Sequence, residues 1–228
     1  MLIAGLQRLT LLDFPQRVAC TLFAHGCNLR CPFCHNASLV IKQPENNISK
    51  EFLSDFLLKR KDVLDGVCLT GGEPLMQRDV LKFLEYLKGF GYKIKLDTNG
   101  CFPEKLKEIL KNRLADYIAM DIKSSKANYS LATGVEIDLS PIEKSVDLIM
   151  ASGVDYEFRT TAVNGIHTAK NFEDIANWIS GTKKYFIQQF SPLGDLISNE
   201  FSAFSKAEMQ NFLNIVKPKI PNAELRGI

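Results

Sequence analysis

Residues 18–36 read VACTLFAHGCNLRCPFCHN, so an apolar run is followed at once by three closely spaced cysteines. The run itself, residues 18–23, has the length and the β-branched and aromatic content of a buried strand. The cysteines that follow are Cys27, Cys31 and Cys34, in a C-x3-C-x2-C spacing. This stretch predicts a strand that carries a loop with three cysteines at its carboxyl end. We call residues 25–36 the cysteine loop.

Similar apolar runs alternate with amphipathic segments along the rest of the chain, which is the pattern of βα units around a parallel sheet. Strands are predicted at residues 18–23, 66–70, 92–97, 116–122, 155–163 and 184–190, with a short edge strand at 223–227. Helices are predicted at residues 50–61, 79–90, 103–114, 141–152, 171–180 and 206–217. Ser49 is a candidate N-cap for the first helix, and residues 44–47 form the longest early loop.

Six main strands are too few for a closed eight-stranded barrel. Right-handed crossovers between successive parallel strands would curl such a sheet into an open barrel. We therefore expect an α/β fold, a partial (β/α)6 TIM-like barrel formed by a single domain, residues 1–228.

The composition excludes some classes of protein. With 46% hydrophobic residues, the 228-residue chain can bury one substantial core. A formal charge of +2 gives no reason to expect nucleic acid or an anionic membrane as a partner. No run approaches the ~18 apolar residues of a membrane span, and the first residues lack the basic end of a signal peptide. These features predict a cytoplasmic protein.

Disulfides are rare in the reducing cytoplasm, so the three clustered thiols are candidate metal ligands. Structural zinc usually has four protein ligands, and His35, next to Cys34, would reach the same ion only with strain. A four-iron cluster held by three cysteines leaves one iron open to a substrate or cofactor. The spacing favours such a cluster, whereas Cys20, Cys68 and Cys101 are scattered along the chain.

The segment CNLRCPFCHN, with the aromatic Phe33 before the last cysteine, resembles the cluster motif of the radical S-adenosylmethionine (SAM) superfamily. The resemblance implies that Cys27, Cys31 and Cys34 hold a [4Fe-4S] cluster and that Phe33 lies in the cofactor site. In that superfamily the amino and carboxylate groups of SAM chelate the fourth iron. An electron from the cluster then cleaves SAM to methionine and a 5′-deoxyadenosyl radical.

Within this superfamily, Asn28 and the His35–Asn36 ending look like the activating enzymes of glycyl radical proteins. Residues 5–28, GLQRLTLLDFPQRVACTLFAHGCN, resemble the subgroup that activates anaerobic ribonucleoside-triphosphate reductase.

Three further motifs follow predicted strands, namely LTGGEP at residues 69–74, DTNG at 97–100 and MDIK at 120–123. Ligand groups of α/β barrels gather at the carboxyl ends of strands, so these motifs should meet the cysteine loop on one rim. The resemblance assigns SAM binding to Gly71, Gly72, Glu73, Lys123 and Arg159, and SAM binding together with a monovalent cation to Asp97, Thr98 and Asp121.

Some residues do not fit this scheme. Side-chain alternation places Lys95 on the same face as Asp97, so Lys95 must either enter the site or mark a twist in the strand. Ser191 stands where pyruvate formate-lyase activators carry a histidine, which disfavours that branch. His25 and His167 are expected to be packing or surface residues rather than ligands.

The resemblance implies a radical SAM oxidoreductase that installs a glycyl radical on a partner enzyme, with anaerobic ribonucleotide reductase as the expected partner. An open barrel would admit a loop of another protein through its lateral gap. No cysteine lies between Asn36 and the second predicted strand, so we expect an external electron donor such as a flavodoxin or ferredoxin. Two alternatives stay open: a radical SAM enzyme acting on a small molecule or peptide, and a non-catalytic zinc-binding module.

Overall fold

The computed structural model describes residues 1–43 and 47–228, so the predicted early loop falls largely outside the described residues. The strands are β1 (Ile3–Thr10), β2 (Ala19–Ala24), β3 (Gly66–Gly71), β4 (Lys93–Thr98), β5 (Tyr117–Asp121), β6 (Asp155–Ala162), β7 (Tyr185–Gln189) and β8 (Ala223–Arg226). The helices are α1 (Ala37–Ile41), α2 (Lys50–Lys59), α3 (Val80–Gly89), α4 (Pro103–Lys111), α5 (Tyr129–Thr133), α6 (Ser140–Ala151), α7 (Ala169–Trp178) and α8 (Lys206–Val216).

All eight strands belong to one sheet, in which each strand pairs with its neighbours in the sequence. Strands β2 to β8 are parallel, and β1 is antiparallel to β2. The two edges of the sheet are therefore β1 and β8. This arrangement confirms the predicted α/β partial barrel, including the short last strand at its edge.

The prediction missed β1, which adds an antiparallel strand to the six predicted main strands. Its pairing with β2 is interrupted by register shifts between Ile3 and Gly5 and between Gln7 and Thr10. Such bulges break the alternation of buried and exposed residues from which strands are recognised. Only Ile3 and Thr10 of this strand are buried. The short helices α1 and α5 were also missed.

The parallel strands divide their side chains between two sides of the sheet. On β6, Tyr156 and Phe158 join the main apolar core together with residues of the surrounding helices. Farther along the strand, Arg159 and Thr161 line a cavity inside the curled sheet. Polar side chains on a central parallel strand therefore mark the inner face and lead to the site.

The predicted N-cap of α2 is confirmed. Ser49 caps α2 by accepting a hydrogen bond from the Phe52 backbone N–H at 3.1 Å. Leu53 and Leu57 of this helix are buried in the main core. Within residues 1–43 and 47–228, no helix has the length and apolar character needed to cross a lipid bilayer.

Candidate functional site

A cavity of ≈ 290 Å³ lies at the carboxyl ends of β3 to β6, with the cysteine loop forming one of its walls. All twelve residues predicted for the site line it. They are Cys27, Cys31, Phe33, Cys34, Gly71, Gly72, Glu73, Asp97, Thr98, Asp121, Lys123 and Arg159. The structure thus brings together residues from four separate motifs, as the expected common rim requires.

The three cysteines of the loop are free, with Cys31 buried and Cys27 and Cys34 half-buried. Two N–H groups point at the sulfur of Cys27: the Leu29 backbone amide at 3.4 Å and Asn99 Nδ2 at 3.8 Å. Hydrogen bonds to sulfur are typical of cysteines that hold iron–sulfur clusters. Three thiols on one wall of the cavity, one of which has two N–H donors behind it, are a donor set that suits a [4Fe-4S] cluster. Because burial raises the pKa of Cys31 to about 11, metal binding there must displace a proton.

Backbone hydrogen bonds hold the cysteine loop from several sides. Its Arg30 N–H donates to Thr133 O of α5 at 2.9 Å. The segment after β7 donates back from Ser198 N to Pro32 O at 2.8 Å. In the same segment Asp195 accepts from the Ser38 N–H at the start of α1, at 2.8 Å. The shape of the loop is therefore set by two distant parts of the chain, α5 and the segment after β7.

Each histidine has a backbone partner. His35 Nε2 lies 2.8 Å from Ser191 O, and its ring packs on Phe190. His25 Nε2 likewise lies within hydrogen-bond distance of a backbone carbonyl, 2.9 Å from Lys42 O. His167 is buried and accepts from the Val163 N–H at 3.1 Å. These contacts agree with packing roles for His25 and His167.

The glycine pair at the end of β3 is required by close contact with the main chain of β2 and of Gly26. A Cβ on Gly71, whose φ is +113°, would lie 2.4 Å from Ala24 N. A Cβ on Gly72 would lie 2.0 Å from Gly26 O. In addition, Glu73 N–H donates to Gly26 O at 2.8 Å. Close contact of two main chains therefore explains the glycine pair.

Glu73 is buried, and all of its described partners are donors. Its Oε1 accepts from Leu75 N and from Thr98 Oγ1, each at 2.9 Å, and its Oε2 accepts from Asn99 N at 2.6 Å. Burial raises the pKa of this carboxyl to about 7, against the opposing effect of these hydrogen bonds. The side chain ties the turn after β3 to the loop after β4.

The variant Glu73→Gln should bind SAM about tenfold more weakly, because a side-chain amide sets an N–H donor against another donor. We expect a stability loss of about 2 kcal/mol for the unmatched buried groups. Titration calorimetry with SAM and thermal unfolding would measure both effects. Glu136→Gln, at an exposed position, is the control. Wild-type values for Glu73→Gln would show that the carboxylate does not organise the site.

The deepest part of the site is a network of charges. Arg159 bridges two carboxylates, with Nη1 3.1 Å from Asp97 Oδ2 and Nε 3.0 Å from Asp121 Oδ1. Lys123 Nζ lies 2.8 Å from Asp121 Oδ2, and Lys95 pairs with Asp97 Oδ1. Although burial opposes ionisation, these cations hold the pKa of Asp97 and of Asp121 below the usual value.

Lys95 enters the interior, which answers the question that strand alternation raised. Its side chain is 2% exposed and lies beside Asp97 and the thiol of Cys68. Asn99 was missed as a site residue although it lies within the DTNG motif. Its Nδ2 donates a hydrogen bond to Asn28 Oδ1 at 2.9 Å and also points at the sulfur of Cys27. Cys101 likewise lies beside the cysteine loop, where it packs against the apolar cluster that contains Cys31 and Phe33.

Gly134 is another residue that the motifs did not indicate. It ends α5 with a φ of +67°, and a Cβ there would lie 2.2 Å from Arg30 O in the cysteine loop. The loop can approach α5 this closely only because the residue is glycine.

We expect Gly134→Ala to displace the cysteine loop and to lower the iron content of the reconstituted protein by about half or more. Gly153→Ala is a matched control, since Gly153 has a φ of +72° but no neighbouring atom within 4 Å of the Cβ that alanine would add. Both variants carry the backbone strain of about 1–2 kcal/mol, and only the first has the collision. Equal iron contents would contradict this explanation. Iron and sulfide analysis with thermal unfolding separates the two effects.

Comparison with known proteins adds to this geometry. The profile of the radical SAM superfamily matches residues 21–179. A protein of Methanocaldococcus jannaschii that is named as a glycyl-radical enzyme activating enzyme is 33% identical over all of this chain and 96% of its own length. A protein of Sulfurisphaera tokodaii that is named as a GTP 3′,8-cyclase is 27% identical over 89% of this chain and 64% of its own length.

Among solved structures, SuiB of Streptococcus suis bound to S-adenosylmethionine superposes with a TM-score of 0.70. The match covers 91% of this chain and 52% of SuiB, at 15% sequence identity. At this identity the likeness shows the fold alone, which agrees with the open, mostly parallel sheet described above.

Proposed function

The chain belongs to the radical SAM superfamily, and on that premise we propose that it installs a glycyl radical on a partner enzyme. We propose anaerobic ribonucleoside-triphosphate reductase as that partner. The observation that carries the proposal is the match to the Methanocaldococcus jannaschii activating enzyme, which extends over 96% of that relative and all of this chain. The match to the GTP cyclase covers 64% of its length and supports that activity less.

In this proposal Cys27, Cys31 and Cys34 hold the [4Fe-4S] cluster by their thiolates. When bound, the cluster and SAM supply an electron and a 5′-deoxyadenosyl radical that removes a hydrogen atom from the substrate. Phe33 and the neighbouring apolar residues Leu29, Val163 and Phe190 form a packed wall beside the cysteines. Such a wall excludes water from the reacting groups.

The polar end of the cavity suits the amino-acid part of SAM. Gly71, Gly72 and Glu73 place a turn with a buried carboxylate next to the cysteine loop. Lys123 and Arg159 reach the cavity with their charged ends, which can attract a carboxylate. We therefore propose that these residues orient SAM towards the cluster. Asp97 and Asp121 hold Arg159 and Lys123 in place through ion pairs. Thr98 holds Glu73 through a hydrogen bond.

A macromolecular substrate fits the open architecture. The sheet ends in the two edges β1 and β8, so a gap remains in the wall of the barrel. We propose that a glycine-bearing loop of the partner reaches the cavity from that side. The described cysteines outside the cysteine loop, Cys20, Cys68 and Cys101, are separated along the chain and give no second cluster motif. A flavodoxin or ferredoxin is accordingly the proposed electron donor.

The test is an anaerobic activation assay with the reductase of the same organism. Reduced, reconstituted protein, SAM and the reductase should together give the doublet of a glycyl radical in electron paramagnetic resonance, with about one 5′-deoxyadenosine per radical. A parallel incubation replaces the reductase by GTP. If 5′-deoxyadenosine forms with GTP and no radical forms on the reductase, the small-molecule alternative replaces this proposal. The reductase with its acceptor glycine changed to alanine is the control.

A further inference from the structure

The residues predicted to hold a monovalent cation already have their oxygens engaged by other groups of the chain. Asp97 Oδ1 pairs with Lys95, and Asp97 Oδ2 accepts from Arg159 Nη1 at 3.1 Å and from Thr70 Oγ1 at 3.2 Å. On Asp121, Oδ1 accepts from Arg159 and Oδ2 from Lys123. All four carboxylate oxygens therefore face a positively charged donor.

The third predicted ligand is turned elsewhere. Thr98 Oγ1 donates to Glu73 Oε1 at 2.9 Å and accepts from the Gly100 N–H at 3.1 Å. Its hydroxyl serves the link between the turn after β3 and the loop after β4. The oxygen set of Asp97, Thr98 and Asp121 thus does not fit a cation as it stands.

The charges lead to the same result. Asp97 and Asp121 contribute two negative charges, which the three cations Lys95, Lys123 and Arg159 already offset. No alkali ion is needed to neutralise the two aspartates, and an added one would be repelled by three neighbouring cations. By contrast, a carboxylate of a ligand would be attracted by the same cations.

We propose that the Lys95 ammonium group replaces the monovalent cation in this chain and holds Asp97 in place next to the SAM site. Its side chain is 2% exposed, and its only carboxylate partner among the described residues is Asp97. Lys95 does not line the cavity, so it is a positioning residue that acts through Asp97 and Arg159. SAM binding should then need neither K⁺ nor Na⁺. The proposal rests on SAM binding alone and does not depend on which substrate receives the radical.

The first experiment uses the wild-type holoenzyme. SAM affinity is measured by titration calorimetry in KCl, NaCl and tetramethylammonium chloride at equal ionic strength. We expect affinities within about twofold of one another, because no alkali ion takes part. ²³Na relaxation in the NaCl sample should show no protein-dependent broadening that K⁺ reverses. A SAM affinity that falls about tenfold in tetramethylammonium chloride would overturn the proposal.

The second experiment replaces the buried ammonium. Lys95→Met should bind SAM about tenfold more weakly in tetramethylammonium chloride, and KCl or NaCl should restore most of the loss by filling the freed position. Lys93→Met, at an exposed position on the same strand, is the control and should behave as wild type in every salt. Equal affinity of Lys95→Met in all three salts would refute the assignment to Lys95. If Lys95→Met does not fold, the wild-type measurements still decide the proposal. Neither measurement involves the partner enzyme, so a failed activation assay leaves both results interpretable.

Discussion

Cys34→Ala should lose the intact four-iron cluster and, with it, SAM cleavage by about 1,000-fold or more, because three protein thiolates are the least that can hold it. The fold should persist, since the half-buried Cys34 lies in a loop and belongs only to the rim of a small apolar cluster. Iron and sulfide analysis, the visible absorption of the cluster and 5′-deoxyadenosine release would measure the effect.

Cys20→Ala provides the opposite pattern as a control. Cys20 is fully buried in the sheet core on β2, away from the cysteine loop. Its truncation should keep the iron content and lower stability by about 1 kcal/mol, through the lost packing. A Cys34→Ala protein with an unchanged cluster spectrum would refute the assignment of the thiol as a ligand.

Arg159→Leu should destabilise the protein by about 2 kcal/mol, because it leaves two partly buried carboxylates without the guanidinium that bridges them. SAM affinity should fall with it. Anaerobic urea unfolding measures the stability, and Arg8→Leu, at an exposed position of β1, is the control. A loss no larger than that of the control would mean that the lysines alone hold Asp97 and Asp121.

The pH dependence of this loss identifies its origin. In the wild type the pKa of Asp97 and of Asp121 is lowered, so their contribution to stability is present above the unfolded-state value of about 3.9 and disappears at lower pH. Without Arg159 both pKa values rise. As the pH falls, protonation of the two carboxylates therefore removes the cost of leaving them without the guanidinium. The difference in unfolding free energy should therefore be smaller at about pH 3 than at about pH 5, because the carboxyl groups take up protons in this range. An equal difference at both would point to lost packing instead.

The sequence predicted the parallel strands well because each is an apolar run bounded by turn residues. Strand β1 escaped because its bulges disrupt the pattern of buried residues between Ile3 and Thr10. The site residues could be grouped before the structure was known because their motifs all follow strands, and a parallel sheet brings such ends together.

Other contacts join segments that are distant in the sequence, and no local sequence pattern predicts them. Gly134 must be glycine because the Arg30 carbonyl lies against it, and Asn99 bonds to Asn28 and Cys27. The neighbours of the glycine pair were also unexpected, since Gly71 contacts the main chain of Ala24 and Gly72 that of Gly26. These are properties of tertiary packing, and composition or spacing does not encode them. For Lys95, alternation placed the side chain on the same face as its ionic partner Asp97 but could not decide between entry into the site and a twist of the strand.

The bonds that tie Arg30 to Thr133, Pro32 to Ser198 and Ser38 to Asp195 have a consequence for exposure to air. They are made entirely between groups of the polypeptide, so the shape of the loop does not depend on inorganic atoms. We therefore expect the loop to keep its shape when oxygen removes iron and sulfide. Molecules damaged in air should then accept a new cluster under anaerobic conditions without refolding.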